Sequence, residues 1–191
     1  MIPRLVIASK NDDKVSEIES VLTHAGVADS VVRGLDWPEV EETGATLEEN
    51  ALLKARVVAD VTGLPALGDD TGLEVTALGG RPGVRTARYA GESATYEDNY
   101  RKLLLEMSGI ESREACFRTV IALVFPDGTE IVASGQVDGL IADEPRGSFG
   151  FGYDPVFEVA GKTLGEIPEE EKNQMSHRAR ALRSLLTELG L

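Results

Sequence analysis

Two pairs of adjacent carboxylates, Glu41-Glu42 and Asp69-Asp70, are the side chains of this 191-residue sequence best suited to chemistry. Hard divalent cations such as Mg2+ take oxygen ligands and share them with phosphates, so two such pairs can build one metal site. Paired acids also serve as plain solvated surface, and Glu41-Glu42 by itself fits that reading. Asp69-Asp70-Thr71-Gly72 is more specific, because its acids follow the apolar residues 64–68 and precede a glycine. This predicts a strand end at a sheet edge, where ligands bind, with one aspartate able to hold a metal and to activate water as a general base.

Other segments could meet the rest of a ligand. Ser9-Lys10-Asn11-Asp12-Asp13-Lys14 is a polar loop between an apolar run and a helical pattern, where free backbone N–H groups and the helix end attract phosphate and Lys14 adds a full charge. It contains no Walker pattern, and the same residues also suit a simple polar helix start. Lys54 lies within a helical pattern, where a lysine is ordinarily solvated unless the fold turns it inward. Ser148-Phe149-Gly150-Phe151-Gly152-Tyr153-Asp154-Pro155 joins glycines that let backbone approach a ligand to aromatics that stack on a base or plug a core. Lys172 and Ser176-His177-Arg178 supply donors before and at a helix start, suited to an exocyclic oxygen or a phosphate. With two histidines, one of them His24 on a helix surface, and no Cys or His cluster, Zn2+ is disfavoured against Mg2+ or Mn2+.

The elements that must position these residues can be read from hydrophobic period and punctuation. Residues 5–8 predict a strand, followed by a helix through Ile18, Val21, Leu22 and Ala25 that stops at Gly26. Thr46 with Glu49 forms a capping box for a helix through Val58 and Ala59, ended by Gly63 and Pro65. A loop at 79–83, a helix at 95–107, a hairpin turning at Pro126-Asp127-Gly128 and a last helix opened by Ser176 complete the pattern. Helices alternating with strands early and a hairpin in the middle predict a mixed α/β sheet, with residues 1–191 as one domain and no internal repeat.

Composition narrows the function further. A formal net charge of -14 repels polyanions, so general nucleic-acid binding is disfavoured, while a cleft with a few basic residues and a metal can still take a small phosphate ligand. The single cysteine, Cys116, forms no internal disulfide and suits a reducing compartment. No signal-peptide pattern and no apolar run of about 20 residues is present, so no membrane association and a cytoplasmic location are expected.

Taken in order, Ser9 to Lys14, Glu41-Glu42-Thr43-Gly44, Asn50-Ala51, Lys54-Ala55, Asp69-Asp70-Thr71-Gly72-Leu73, Gly79-Gly80, Pro82-Gly83, Ala87-Arg88-Tyr89, Phe151 to Pro155 and Ser176-His177-Arg178 resemble the inosine triphosphate pyrophosphatases over nearly the full length. The resemblance implies a mixed twisted sheet flanked by helices, in two lobes with a central cleft. It implies that Ser9, Lys10, Asn11, Asp12, Asp13, Lys14, Lys54 and Thr71 surround the triphosphate, and that Glu41 and Asp70 hold Mg2+ with Asp70 also the base. Phe151, Gly152, Tyr153, Asp154, Lys172, His177 and Arg178 would surround the purine, and the chain would pair as a homodimer. Lys10 stands where the family often has a small residue and Thr71 where serine is frequent. Rival readings are a related Maf-like pyrophosphatase of modified or pyrimidine triphosphates, a phospho-acceptor signalling module built on Asp69-Asp70, and a non-catalytic nucleotide-binding protein.

Overall fold

The computed structural model describes residue 2 and residues 4–25 and 31–190. Among them are five α-helices and eight strands, with β1 at Leu5–Ile7, α1 at Asp12–His24, β2 at Val31–Val32, α2 at Leu47–Thr62 and β3 at Ala66–Val75. There follow β4 at Pro82–Gly83, α3 at Tyr96–Glu106, β5 at Glu114–Val124 and β6 at Glu130–Ile141. The chain ends with β7 at Phe157–Val159, β8 at Lys162–Thr163, α4 at Glu169–Met175 and α5 at His177–Glu188. The sheet order is β2-β1-β3-β5-β6-β7-β8, with β4 paired to β3. It is mixed, because β1 runs parallel to β2 and β3, whereas β3/β4, β6/β7 and β7/β8 are antiparallel. No helix among the described residues is long and apolar enough to cross a membrane.

The chain divides into two compact units, the first containing Met1–Asp70, Thr119–Gly135 and His177–Leu191. Its core gathers Leu5 and Ile7 of β1, Val15, Ile18 and Leu22 of α1, Leu67 of β3, Ile121 and Leu123 of β5, and Ala181, Leu182 and Leu185 of α5. Those helical positions recur at the three- and four-residue steps that place them on one face. α2 begins at the capping box of Thr46 and Glu49 and ends at Gly63, whose φ of 64° is the left-handed conformation that glycine tolerates. α2 also lies hard against β3, since a Cβ on Gly68 would meet Ala51 O and Ala55 N. The expected stop of α1 at Gly26 lies outside the described residues, and Ala25 is the C-cap.

The second unit contains Thr71–Arg118 and Gln136–Ser176. Leu73, Val75, Leu103, Met107, Phe117, Val137, Ile141, Tyr153 and Phe157 form its core, with Phe117 and Phe157 edge to face at 4.7 Å between centroids. α3 has its own capping box, Thr95 with Asp98. Asn99 secures the preceding loop by donating to Ala87 O and accepting from Ala90 N, at 2.9 and 2.7 Å.

The expected strand end at Asp69-Asp70 is not what forms. β3 runs ten residues through both acids and Gly72. Aspartate and glycine are poor strand formers in isolation, but here both carboxylates are buried and paired, and tertiary contacts override local preference.

Candidate active site

Because successive strand residues face opposite sides of a sheet, Asp69 and Asp70 part company. Asp70 shares its side with Gly68 and so faces α2. Asn50 Nδ2 donates to Asp70 Oδ2 at 3.1 Å, and Lys54 Nζ stands 3.5 Å from Oδ1. The amide of Asn50 is oriented by the backbone N–H of Gly44, which donates to its Oδ1 at 2.8 Å and thereby turns the NH2 group to the carboxylate. Lys54 is only 9% exposed and donates to Glu42 Oε1 at 2.7 Å, so one ammonium bridges Glu42 and Asp70.

Asp69 turns to the side of α1 and α5. Lys14 Nζ lies 3.3 Å from Asp69 Oδ2, and Arg178 Nε and Nη2 each donate to the same oxygen at 3.3 Å. Arg178 Nη1 also donates to Glu17 of α1. Arg178, Asp69 and Glu17 are 2%, 1% and 6% exposed, which makes this a buried ionic network rather than a surface pair. Lys14 reaches it from the first turn of α1, where Asn11 is the N-cap and accepts from Lys14 N at 3.2 Å, while Ser9 Oγ accepts from Asn11 N at 3.2 Å. Asp12 and Asp13 are therefore helical rather than part of the loop, and both are exposed, as is Lys10.

The two adjacent acids are thus tuned apart. Burial pushes the Asp70 carboxyl above its ordinary range and Glu42 adds to the shift, outweighing Lys54, Lys14 and the Asn50 bond. Burial acts on Asp69 too, but Lys14, Arg178 and Lys54 together overcome it and hold that carboxyl below the usual range. Burial likewise disfavours the Lys54 ammonium, yet Asp69, Asp70 and Glu42 keep it charged, with its pKa raised. Asp70 is the more basic of the two aspartates because Glu42 stands near it, whereas Asp69 has Lys14 and Arg178 against it. Neighbouring carboxyls whose environments drive their proton affinities apart take different roles.

The remaining predicted residues fall in two places. In the first unit, His177 opens α5 and its Nδ1 lies 2.6 Å from Thr119 Oγ1. In the second, Asp154 Oδ2 accepts from Lys172 Nζ and from Phe151 N, both at 2.9 Å, and Lys172 Nζ lies 5.1 Å from the centroid of the Phe151 ring. Tyr96 stands against the same ring at 5.9 Å. Gly150 has φ 71°, and a Cβ there would meet Asp154 Oδ2 and Lys172 Nζ, so the glycine makes room for that pair. Gly152 also has positive φ, at 66°. Tyr153 is a core residue, 3% exposed, donating to Thr86 O at 2.9 Å. Lys172 lies inside α4, a helix that hydrophobic period does not reveal. Thr71 follows Asp70 in β3 and is half-buried.

The donor set suits a hard divalent cation. Glu42 and Asp70 offer carboxylate oxygens to a shared positive charge, Lys54, and Glu41 is exposed on the adjoining segment. No group of three or more His, Cys, Asp or Glu side chains arranged to hold a metal occurs among the described residues. Sequence reading passed over Glu17, Asn50 and Thr119 as site residues. Each is a polar residue on an otherwise buried face, a signal that period analysis averages away.

Residues 5–188 match the model of the Ham1 family. A dITP/XTP pyrophosphatase of Geobacter sulfurreducens is 50% identical over 98% of this chain and 96% of its own length. Another, of Symbiobacterium thermophilum, is 50% identical over 97% of this chain and 94% of its own. Among solved structures, a HAM1 protein from Coxiella burnetii superposes with a TM-score of 0.88 at 40% identity, covering 99% of both chains. The Staphylococcus aureus Ham1 protein gives 0.83 at 39% identity, covering 98% of both. The chain belongs to the Ham1 family.

Proposed function

We propose that this protein hydrolyses deaminated purine nucleoside triphosphates, those of inosine, deoxyinosine and xanthosine, to the monophosphate and diphosphate, and so removes them from the nucleotide pool. The observation that carries the chemistry is the division of labour in β3, with Asp69 committed to an ionic network and Asp70, held by Asn50 and Lys54, kept basic by burial and by Glu42. The names of the relatives support the substrate class.

In this reading Asp70 takes a proton from water as the water oxygen bonds to the α-phosphorus. The bond from that phosphorus to the bridging oxygen breaks, and diphosphate leaves. Lys14 neutralises charge developing on the departing group, and Lys54 keeps Asp70 and Glu42 in place. Ser9, Asn11 and Thr71, with the exposed Lys10, Asp12 and Asp13 beside them, belong to the triphosphate end. Phe151 to Asp154, Lys172, His177 and Arg178 belong to the purine end. Asp70 with Glu41 or Glu42 would hold Mg2+, or Mn2+ in its place, which when bound neutralises and orients the phosphates. A cytoplasmic homodimer completes the proposal, and the net charge of -14 argues against nucleic acid as partner.

Selectivity against adenine follows from donors that meet a 6-oxo oxygen and cannot be satisfied by a 6-amino group, while guanine, which shares that oxygen, is refused by crowding of its 2-amino substituent. A panel of inosine, xanthosine, deoxyinosine, adenosine, guanosine and pyrimidine triphosphates, assayed for diphosphate release with Mg2+ and again with excess chelator, tests substrate and metal together. Chelator-sensitive release confined largely to the inosine and xanthosine forms is expected. Pyrimidine-selective release would move the assignment to a Maf-like activity, and absence of release would remove the enzymatic reading.

A further inference from the structure

We propose that Asn50 is a positioning residue for hydrolysis, whose amide holds the carboxylate of Asp70 and joins it to the segment that carries Glu41 and Glu42. The inference rests on Asp70 as the base proposed above and names the side chain that aims it. The main chain decides the direction of the contacts. Gly44 N, a backbone N–H that can only donate, lies 2.8 Å from one end of the amide, so that end is the oxygen and the other is the NH2 group. The NH2 group then meets an acceptor, Asp70 Oδ2, at 3.1 Å. One amide thus turns its oxygen to the acid-bearing segment and its nitrogen to the base.

Helix packing puts the amide where it can act. Asn50, Ala51, Lys54 and Ala55 recur at three- and four-residue steps, so they share one face of α2, and all four are buried. The two alanines let the helix close on β3 at Gly68, where a Cβ would meet Ala51 O and Ala55 N. That approach brings a side chain as short as asparagine to Asp70, which lies two residues on and on the same side of the strand as Gly68. Lys54, one turn along α2 from Asn50, repeats the pattern by meeting Asp70 Oδ1 at 3.5 Å and Glu42 Oε1 at 2.7 Å. Both oxygens of Asp70 are therefore tied to α2. Each tie continues to the acid-bearing segment, through Asn50 at Gly44 and through Lys54 at Glu42.

Gly44 shows how closely this is built. A Cβ there would meet Asn50 Oδ1 at 2.6 Å and Glu49 Cβ at 2.7 Å, although its backbone lies outside the left-handed region, so glycine stands at this position for space. The consequence for the reaction is geometric. A carboxylate held at one oxygen, by a contact as long as that from Lys54, can swing about its last bond. A donor on the other oxygen fixes its plane. Removing a proton from an attacking water depends on that plane, since a misplacement of about 1 Å can cost about a hundredfold in rate.

The test is a double-mutant cycle read in kcat. Asn50→Leu keeps the branched shape at a buried helix position but neither donates nor accepts. It should lower kcat for inosine triphosphate by about ten- to a hundredfold, while the Kd of the α,β-imido analogue of that nucleotide stays within about threefold. In an Asp70→Asn background, where the base is already gone, adding Asn50→Leu should cost less than about threefold more, because residues that act as a unit are not additive. A purely structural asparagine would lower Tm and leave kcat within about threefold of wild type at temperatures where the variant is folded, which would overturn the inference. An effect confined to Kd, or losses that multiply in full in the double variant, would overturn it too. Gly44→Ala, which crowds Asn50 Oδ1 from the other side, enters the same cycle and decides it if Asn50→Leu fails to fold. Unimpaired hydrolysis by Asp70→Asn alone would remove the base reading and this inference with it, an outcome that the single variant reports before Asn50 is changed.

Discussion

Replacing Asp70 with asparagine is expected to lower turnover of inosine triphosphate by roughly a hundredfold to ten-thousandfold, the range a positioned general base contributes. The substitution keeps the shape of the side chain and an oxygen that can accept from Asn50 Nδ2, which stands 3.1 Å from the native carboxylate. What it removes is the ability to take a proton. Lys54 loses one carboxylate at 3.5 Å but keeps the closer one, Glu42 at 2.7 Å, so no buried ammonium is stranded. Burial disfavours the native charge at this position, hence the unfolding midpoint should not fall. Single-turnover kinetics beside a nucleotide-binding titration separate the two effects, with chemistry lost and binding still measurable. Substantial residual hydrolysis would take Asp70 out of the base role.

Arg178→Met should be the most damaging change to stability, costing about 3–5 kcal/mol, because removing one partner of a buried pair leaves the others uncompensated. Glu17 would lose this guanidinium entirely, and Asp69 would lose both of its nitrogens while keeping Lys14 at 3.3 Å. Against the total of about 5–15 kcal/mol typical of a folded protein, that is a large fraction. Lysine is a poor substitute here, since a single ammonium cannot reproduce a planar fork that serves two carboxylates on α1 and β3. Urea unfolding gives the value directly, and adding Glu17→Gln to Arg178→Met should recover part of the loss. A midpoint close to wild type would show that the network contributes little. If purine selectivity then fell while stability held, Arg178 would be a base-reading donor and no more.

Much of the framework was legible in the sequence because it is written in local rules. The capping box at Thr46 and Glu49, the stop at Gly63, the 95–107 helix and the turn at 126–128 all depend on neighbours a few residues apart. The ordered motifs likewise pointed to the family before any fold was in hand. What stayed hidden depends on distance along the chain. Arg178 meets Glu17 across 161 residues and Asp69 across 109, and no period or spacing announces such partners. The same is true of Thr119 and His177, 58 residues apart. The continuity of β3 was missed for the same reason, since the cations that make two buried aspartates tolerable come from α1, α2 and α5. Short β2, β4, β7 and β8 and the acidic α4 carry too few apolar residues to register at all.

The central claim is that water activated at Asp70 attacks the α-phosphorus of a 6-oxo purine triphosphate. Hydrolysis of inosine triphosphate in heavy-oxygen water, with the products separated and weighed by mass spectrometry, tests it most directly. One heavy oxygen is expected in the inosine monophosphate and none in the diphosphate. Label in diphosphate, or release of single phosphates carrying it, would mean attack at another phosphorus and would contradict the mechanism derived from this site.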